Sequence, residues 1–204
     1  MTRGGSRGAQ KPSLTSLTRK RIGVDDVDGW FDELEQGTDR ACALVAVASV
    51  SNDLKPLIAT RFRELSEAEM DSLFEGRGAP LQDLNSRIDI AYALRLIDKN
   101  VRNNLHILRR IRNAFAHSPI ALSFDHPLVA AECKKLHIFR KYGHKDSWFK
   151  NRQRFFLAAV QSGGKINRRH TAALTAQFNR LKKRDEKAAL RWLGKPPPPR
   201  PAGN

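Results

Sequence analysis

The spacing Arg112-Asn113-x-x-x-His117 holds the densest chemical potential in this chain. An imidazole titrates close to neutral pH, so His117 could act as a general base or acid. Arg112, with Arg109, could stabilise a phosphate. Asn113, one helical turn before His117, would orient the ring. That set suits metal-independent cleavage of RNA through attack by the ribose 2′-hydroxyl. A structural reading competes with it: the same residues form a satisfied hydrogen-bond cluster, and His117 sits where a helix dipole favours a cation. Arginine and histidine are common near helix ends, so the spacing alone leaves both readings open.

The element that must position these residues is a helix from Asp98 to His117. Advancing about 100° per residue from Arg109 puts Arg102, His106, Asn113 and His117 within about 80° on one side. The opposite half carries Val101, Ile107, Leu108, Ile111, Ala114 and Phe115. The helix therefore has an apolar wall for a core and a polar stripe in which Arg102, His106 and Arg109 face a ligand or a subunit interface. Arg112 falls outside the stripe, beside Val101 and Leu105. A cation there is expected to pair with a carboxylate or to fork across backbone carbonyls. Asp39, Glu75, Asp83 and Asp89 are the candidate partners.

Helix signals dominate the rest of the chain, and no strand alternation or internal repeat stands out. Asp25–Gln36 is acidic at its front and places Trp30, Phe31 and Leu34 on one side. Thr38 caps a long apolar helix, the expected core element, running to Phe62 and kinked or broken by Pro56. Ser66-x-x-Glu69 is a capping box. Glu75 to Pro80 reads as a loop. Asp83 caps a helix carrying Ile88, Ala91, Leu94 and Ile97. Ser118-Pro119 ends the helix at His117, and Asp125-His126-Pro127 starts another that leads to Leu136. An amphipathic stretch from Asp146 to Val160 is expected to end at Gly163-Gly164. A second runs from Asn167 to Leu193, with Leu174, Phe178, Leu181, Ala188 and Trp192 on a seam. The expected fold class is all-α: a compact helical bundle at 25–161, a basic C-terminal helix and proline-rich tail at 162–204, and a disordered basic arm at 1–24.

Charge is unevenly spread along the 204 residues, whose formal net charge is +16. Lys134–Asn204 holds 19 basic residues and three acids, which accounts for the whole excess. Asp25–Cys133 is net −6. Such a field draws polyanions. In the basic helix, Arg168, Arg169, Arg180, Lys182, Lys183, Arg184, Lys187 and Arg191 surround the apolar seam and are suited to phosphate contact, which positions a nucleic acid without reading its sequence. The seam could dock on the bundle or on a partner, or the helix could be a solvated appendage. Cys42 and Cys133 have no CxxC or Cys/His companions and read as buried free thiols. No metal or cofactor pattern is found. No apolar run approaches the roughly 18 residues that span a bilayer, and the basic start has no signal-peptide core, so a cytoplasmic protein without membrane contact is the default expectation.

Four motifs carry a resemblance. They are Thr38-Asp39-Arg40-Ala41; Leu73-Phe74-Glu75-Gly76-Arg77-Gly78-Ala79-Pro80-Leu81; the run Ser86 to Ile97, which reads SRIDIAYALRLI; and Ile111-Arg112-Asn113-Ala114-Phe115-Ala116-His117 followed by Phe124-Asp125-His126-Pro127. In this order and spacing the chain resembles the mannitol operon repressor family over roughly Thr38 to Val160. The resemblance implies an all-helical bundle and a role in transcriptional regulation, through nucleic acid or a regulator protein and without a helix-turn-helix. Arg112 to His117 also looks like the Arg-polar-x-x-x-His signature of HEPN domains, helical bundles that include ribonucleases. In that family paired subunits build the site. The likeness implies a homodimer, with Arg112 and His117 as catalytic pair and Asn113 as polar companion.

Overall fold

The computed structural model describes residues 36–76, 78–139 and 150–193, with residues 29, 32 and 34 besides, and side chains as far as Arg184. The expected arm at 1–24, Asp146, Trp148, Phe149, the side chains of Lys187, Ala188, Arg191 and Trp192, and the proline-rich tail lie outside these. The described residues form six helices and no strand: α1 Asp39–Ala59, α2 Glu67–Phe74, α3 Leu84–Ala93, α4 Lys99–His117, α5 Pro127–Lys134 and α6 Asn151–Leu193. The chain is an all-α helical bundle.

Local sequence starts these helices as expected, but α3 ends at Ala93, before the Leu94 and Ile97 that it was expected to carry. Thr38 Oγ1 accepts from Ala41 N at 3.1 Å, and Asp98 Oδ1 accepts from Val101 N at 2.9 Å. Ser66 and Glu69 close a reciprocal capping box. Asp83 caps α3 through Ser86 N, and Pro127 opens α5 directly after His126. Gly76 and Gly78 take φ of +82° and +88°, a region open to glycine. They let the loop close so that Leu81 N bonds Leu73 O at 2.8 Å. Pro56 does not break α1 in two. It lies within the last turn, and the helix runs on to Ala59, leaving Phe62 in the following turn rather than in the helix.

α1 is the central element, packed against α3, α4 and α6. With 21 residues and a mean hydropathy of 1.3 over its most apolar 18, it is long and apolar enough to cross a membrane, contrary to the expectation that no apolar run approaches that length; Asp53 and Lys55 interrupt the run. In this bundle it is the core helix, with Cys42, Ala46, Val50, Leu54, Leu57 and Ile58 buried. Phe124 joins three elements, its ring 4.9 Å from Phe115 of α4 and 5.0 Å from Phe155 of α6. Both cysteines are free and buried. Burial raises the Cys42 pKa and pushes that of Cys133 up to about 12.

The largest departure from expectation lies at Gly163-Gly164. No helix ends there; α6 is continuous through both glycines for 43 residues. Two helical glycines cost roughly 2 kcal/mol against alanine. Burial of Phe155, Ala158, Ala159 and Ile166 on the bundle outweighs that. Polar ties add to it: Asn167 Nδ2 donates to Asp53 Oδ2 at 2.9 Å, and Lys165 pairs with Asp98 at 3.0 Å.

Candidate functional site

The polar stripe of α4 exists, but it divides into three places. At the start of the helix, Arg102 reaches Asp89 of α3 through Nη2 at 2.8 Å and Nε at 3.2 Å, and its guanidinium lies 4.7 Å from the centre of the Tyr92 ring. His106 Nε2 stands 3.3 Å from the same carboxylate oxygen. An ionised carboxylate only accepts, so Nε2 carries the hydrogen. Burial holds the His106 pKa below its ordinary value, although Asp89 pulls the other way. The hydrogen bond from Arg102 holds the Asp89 carboxyl low. These residues staple α4 to α3.

The middle of the stripe faces a cavity. Arg109, Arg112 and Asn113 meet Ser51 and Asn52 of α1, with Asp83 at the head of α3, around about 400 Å³. Arg112 does not take the expected carboxylate. Its Nη1 donates to Asn113 Oδ1 at 3.2 Å, and among the described residues no acid pairs with it. All four candidate acids are engaged elsewhere: Asp39 by Arg152, Glu75 by Lys55, Asp83 by Ser86 and Asp89 by Arg102. The cation that forks across backbone carbonyls is Arg87, only 7% exposed, which donates to Leu81 O at 2.7 Å and Phe74 O at 3.0 Å. Wheel geometry fixed Arg112 at the edge of the wall. It could not say which arginine the loop carbonyls would surround.

His117 stands apart from both groups. It is exposed at the end of α4, does not line the cavity, and receives no hydrogen bond among the described residues. Asn113 spends its carbonyl on Arg112 rather than on the imidazole. Ala114, assigned to the apolar wall, is exposed, because the wall is narrower than a half-circle and Ala114 lies beside Asn103 and Arg110 on the solvent side.

Three other polar residues hold the site in place and were missed. Asn104 is fully buried and clasps the backbone of His137 with two bonds of 2.8 Å. Arg40 binds the carbonyls of Ser118 and Ile120 at 2.9 and 3.1 Å, fixing the chain just after His117. Arg152 bonds Leu34 O at 2.9 Å and Asp39 at 3.1 Å. Asn104 was the legible one, since its angle falls inside the apolar arc.

The basic part of α6 offers a different surface. Arg168, Arg169, Arg180, Lys182, Lys183 and Arg184 are exposed, and none pairs with a carboxylate among the described residues. The described part of the apolar seam is not buried on the bundle: Leu174, Phe178 and Leu181 are 48%, 66% and 45% exposed. Phe155 to Ile166 close the core under α6, and the next turns, through His170, Leu174 and Gln177, line a cavity against the end of α1.

No protein-family profile and no curated protein matches the chain. Among solved structures the chain is similar to one titled "X-ray structure of the MtlR-HPr complex from Escherichia coli", at 18% identity and a TM-score of 0.47. The match covers 72% of this chain and 96% of the other.

Proposed function

We propose that this protein is a regulatory, non-catalytic helical protein that binds nucleic acid through the basic half of α6. The observation that supports this is the set of six exposed cations from Arg168 to Arg184 on one continuous helix, none of them paired with a carboxylate among the described residues. Each cation that meets a phosphate releases condensed counterions, which supplies affinity without sequence readout. The ordered motifs that resemble mannitol operon repressors support the regulatory part. Two of the four α4 arginines, Arg102 with Asp89 and Arg110 with Glu132, tie the helix into the bundle, which supports a scaffold.

Fluorescence anisotropy with a labelled duplex and a labelled single strand tests the reading. Replacing Arg180, Lys182, Lys183 and Arg184 together by glutamine should weaken binding to both while leaving the helical circular dichroism unchanged. Unaltered affinity in that variant would defeat the proposal.

A ribonuclease of HEPN type is the second reading. It draws support from Arg112, whose guanidinium has no carboxylate partner among the described residues, and from the exposure of His117. It requires cleavage of single-stranded RNA between about pH 6 and 8 that His117→Ala abolishes with little change in melting temperature. Under the binding reading, RNA incubated with the wild type stays intact.

A further inference from the structure

We propose that the cavity between α4, α1 and the turn before α3 is an anion site, in which Arg109 and Arg112 take the phosphate or carboxylate of a small molecule. Two guanidiniums one turn apart on α4 line the same space. Neither pairs with a carboxylate among the described residues. Their one acidic neighbour in the cavity wall, Asp83, has both oxygens engaged by Ser86, at 3.1 Å from the backbone N and 2.6 Å from Oγ. Asp83 therefore reduces the local charge without accepting from the arginines, and the three groups together leave one net positive charge.

The hydrogen-bonding account is also open. Arg109 Nε is buried and has no partner among the described residues. A buried donor of that kind normally finds an acceptor, because leaving it unmade is costly. Arg112 makes one hydrogen bond among the described residues, to Asn113, and an oxyanion could accept from its remaining N–H groups in the forked geometry that guanidinium favours. Beyond the arginines, Val47 and Leu84 give an apolar wall, and Ser51 and Gln82 bring polar groups for the body of a ligand. A volume of about 400 Å³ suits a molecule of metabolite size. The site is thus distinct in position from the α6 cations proposed to meet nucleic acid.

Titration calorimetry of the full-length protein at constant ionic strength tests this, with inorganic phosphate in one arm and acetate in the other. A saturable heat in at least one arm is expected, and the tighter arm identifies the oxyanion class. Arg109→Gln and Arg112→Gln should each weaken that binding by about ten- to a hundredfold, the effect of losing one charged hydrogen-bonding partner. Arg180→Gln, on α6, should leave it unchanged. The absence of saturable heat for the wild type in both arms overturns the proposal, whatever the stability of the variants. So does equal weakening by Arg180→Gln, which would reduce the effect to non-specific screening.

Discussion

At the residue scale the molecule is held by buried or half-buried polar side chains that each satisfy a specific stretch of backbone. Arg87 is the extreme case. Replacing it with methionine keeps much of the apolar stem but leaves the carbonyls of Phe74 and Leu81 without their donor. A loss of about 2–3 kcal/mol follows, to be read as a lower urea midpoint; an unchanged midpoint would show that water replaces the guanidinium freely. The Asp89–His106–Arg102 group makes stability depend on pH. Burial keeps the folded imidazole below its ordinary pKa, so below about pH 6.5 the unfolded chain binds more protons than the folded one. Stability therefore falls as pH drops through about 6.5. It falls again near about 3.9, where an unfolded aspartate protonates while the carboxyl of Asp89 resists. Urea midpoints measured from about pH 7.5 down to 5.5 should decline for the wild type. His106→Gln should flatten that limb and spare the lower one. An equally steep decline in the variant would assign it to other groups.

At the element scale, much of the fold was legible in the chain. Thr38, Ser66, Asp83 and Asp98 each announce a helix through a side chain that bonds backbone a turn later, a local signal that needs no knowledge of neighbours. The two-faced character of α4 was legible for the same reason. Where the outcome depended on packing, the local signal failed. Gly163-Gly164 reads as a stop, but Ile166 beyond it is buried and Phe155 before it is buried, and the core on both sides carries the helix through. Pro56 leaves the helix only three residues to run, to Ala59, instead of dividing it. Arg87 rather than Arg112 takes the loop carbonyls because helix angle gives direction, not the loop that arrives there. If packing rather than glycine holds α6 together at this point, Gly164→Ala should stabilise the protein by about 1 kcal/mol. An added Cβ meets only the mobile end of Arg168, at 3.6 Å. A lower melting temperature would mean that the glycine is needed there.

At the scale of the whole molecule the sequence divides charge by position, and the fold joins the two parts through Arg152–Asp39 and Lys165–Asp98 at the start of α6. Asp25–Cys133 is net −6 while the excess of cations follows it, so the acidic region cannot compete with the basic row for a polyanion. With six phosphate contacts, raising salt from about 50 to 200 mM should weaken duplex binding roughly a thousandfold. Each cation removed should lower the logarithmic slope by about 0.9. A shallow slope would point to apolar contact through Leu174 and Phe178 instead. The uninterrupted run of α6 gives this surface a bearing as well as a charge. From Thr171 to Leu193 the helix extends about 34 Å, close to the pitch of duplex DNA. With no joint at the glycines, any strand laid along that rod takes its heading from Phe155 and Ile166 deep in the core, and torque applied at the tip is delivered there.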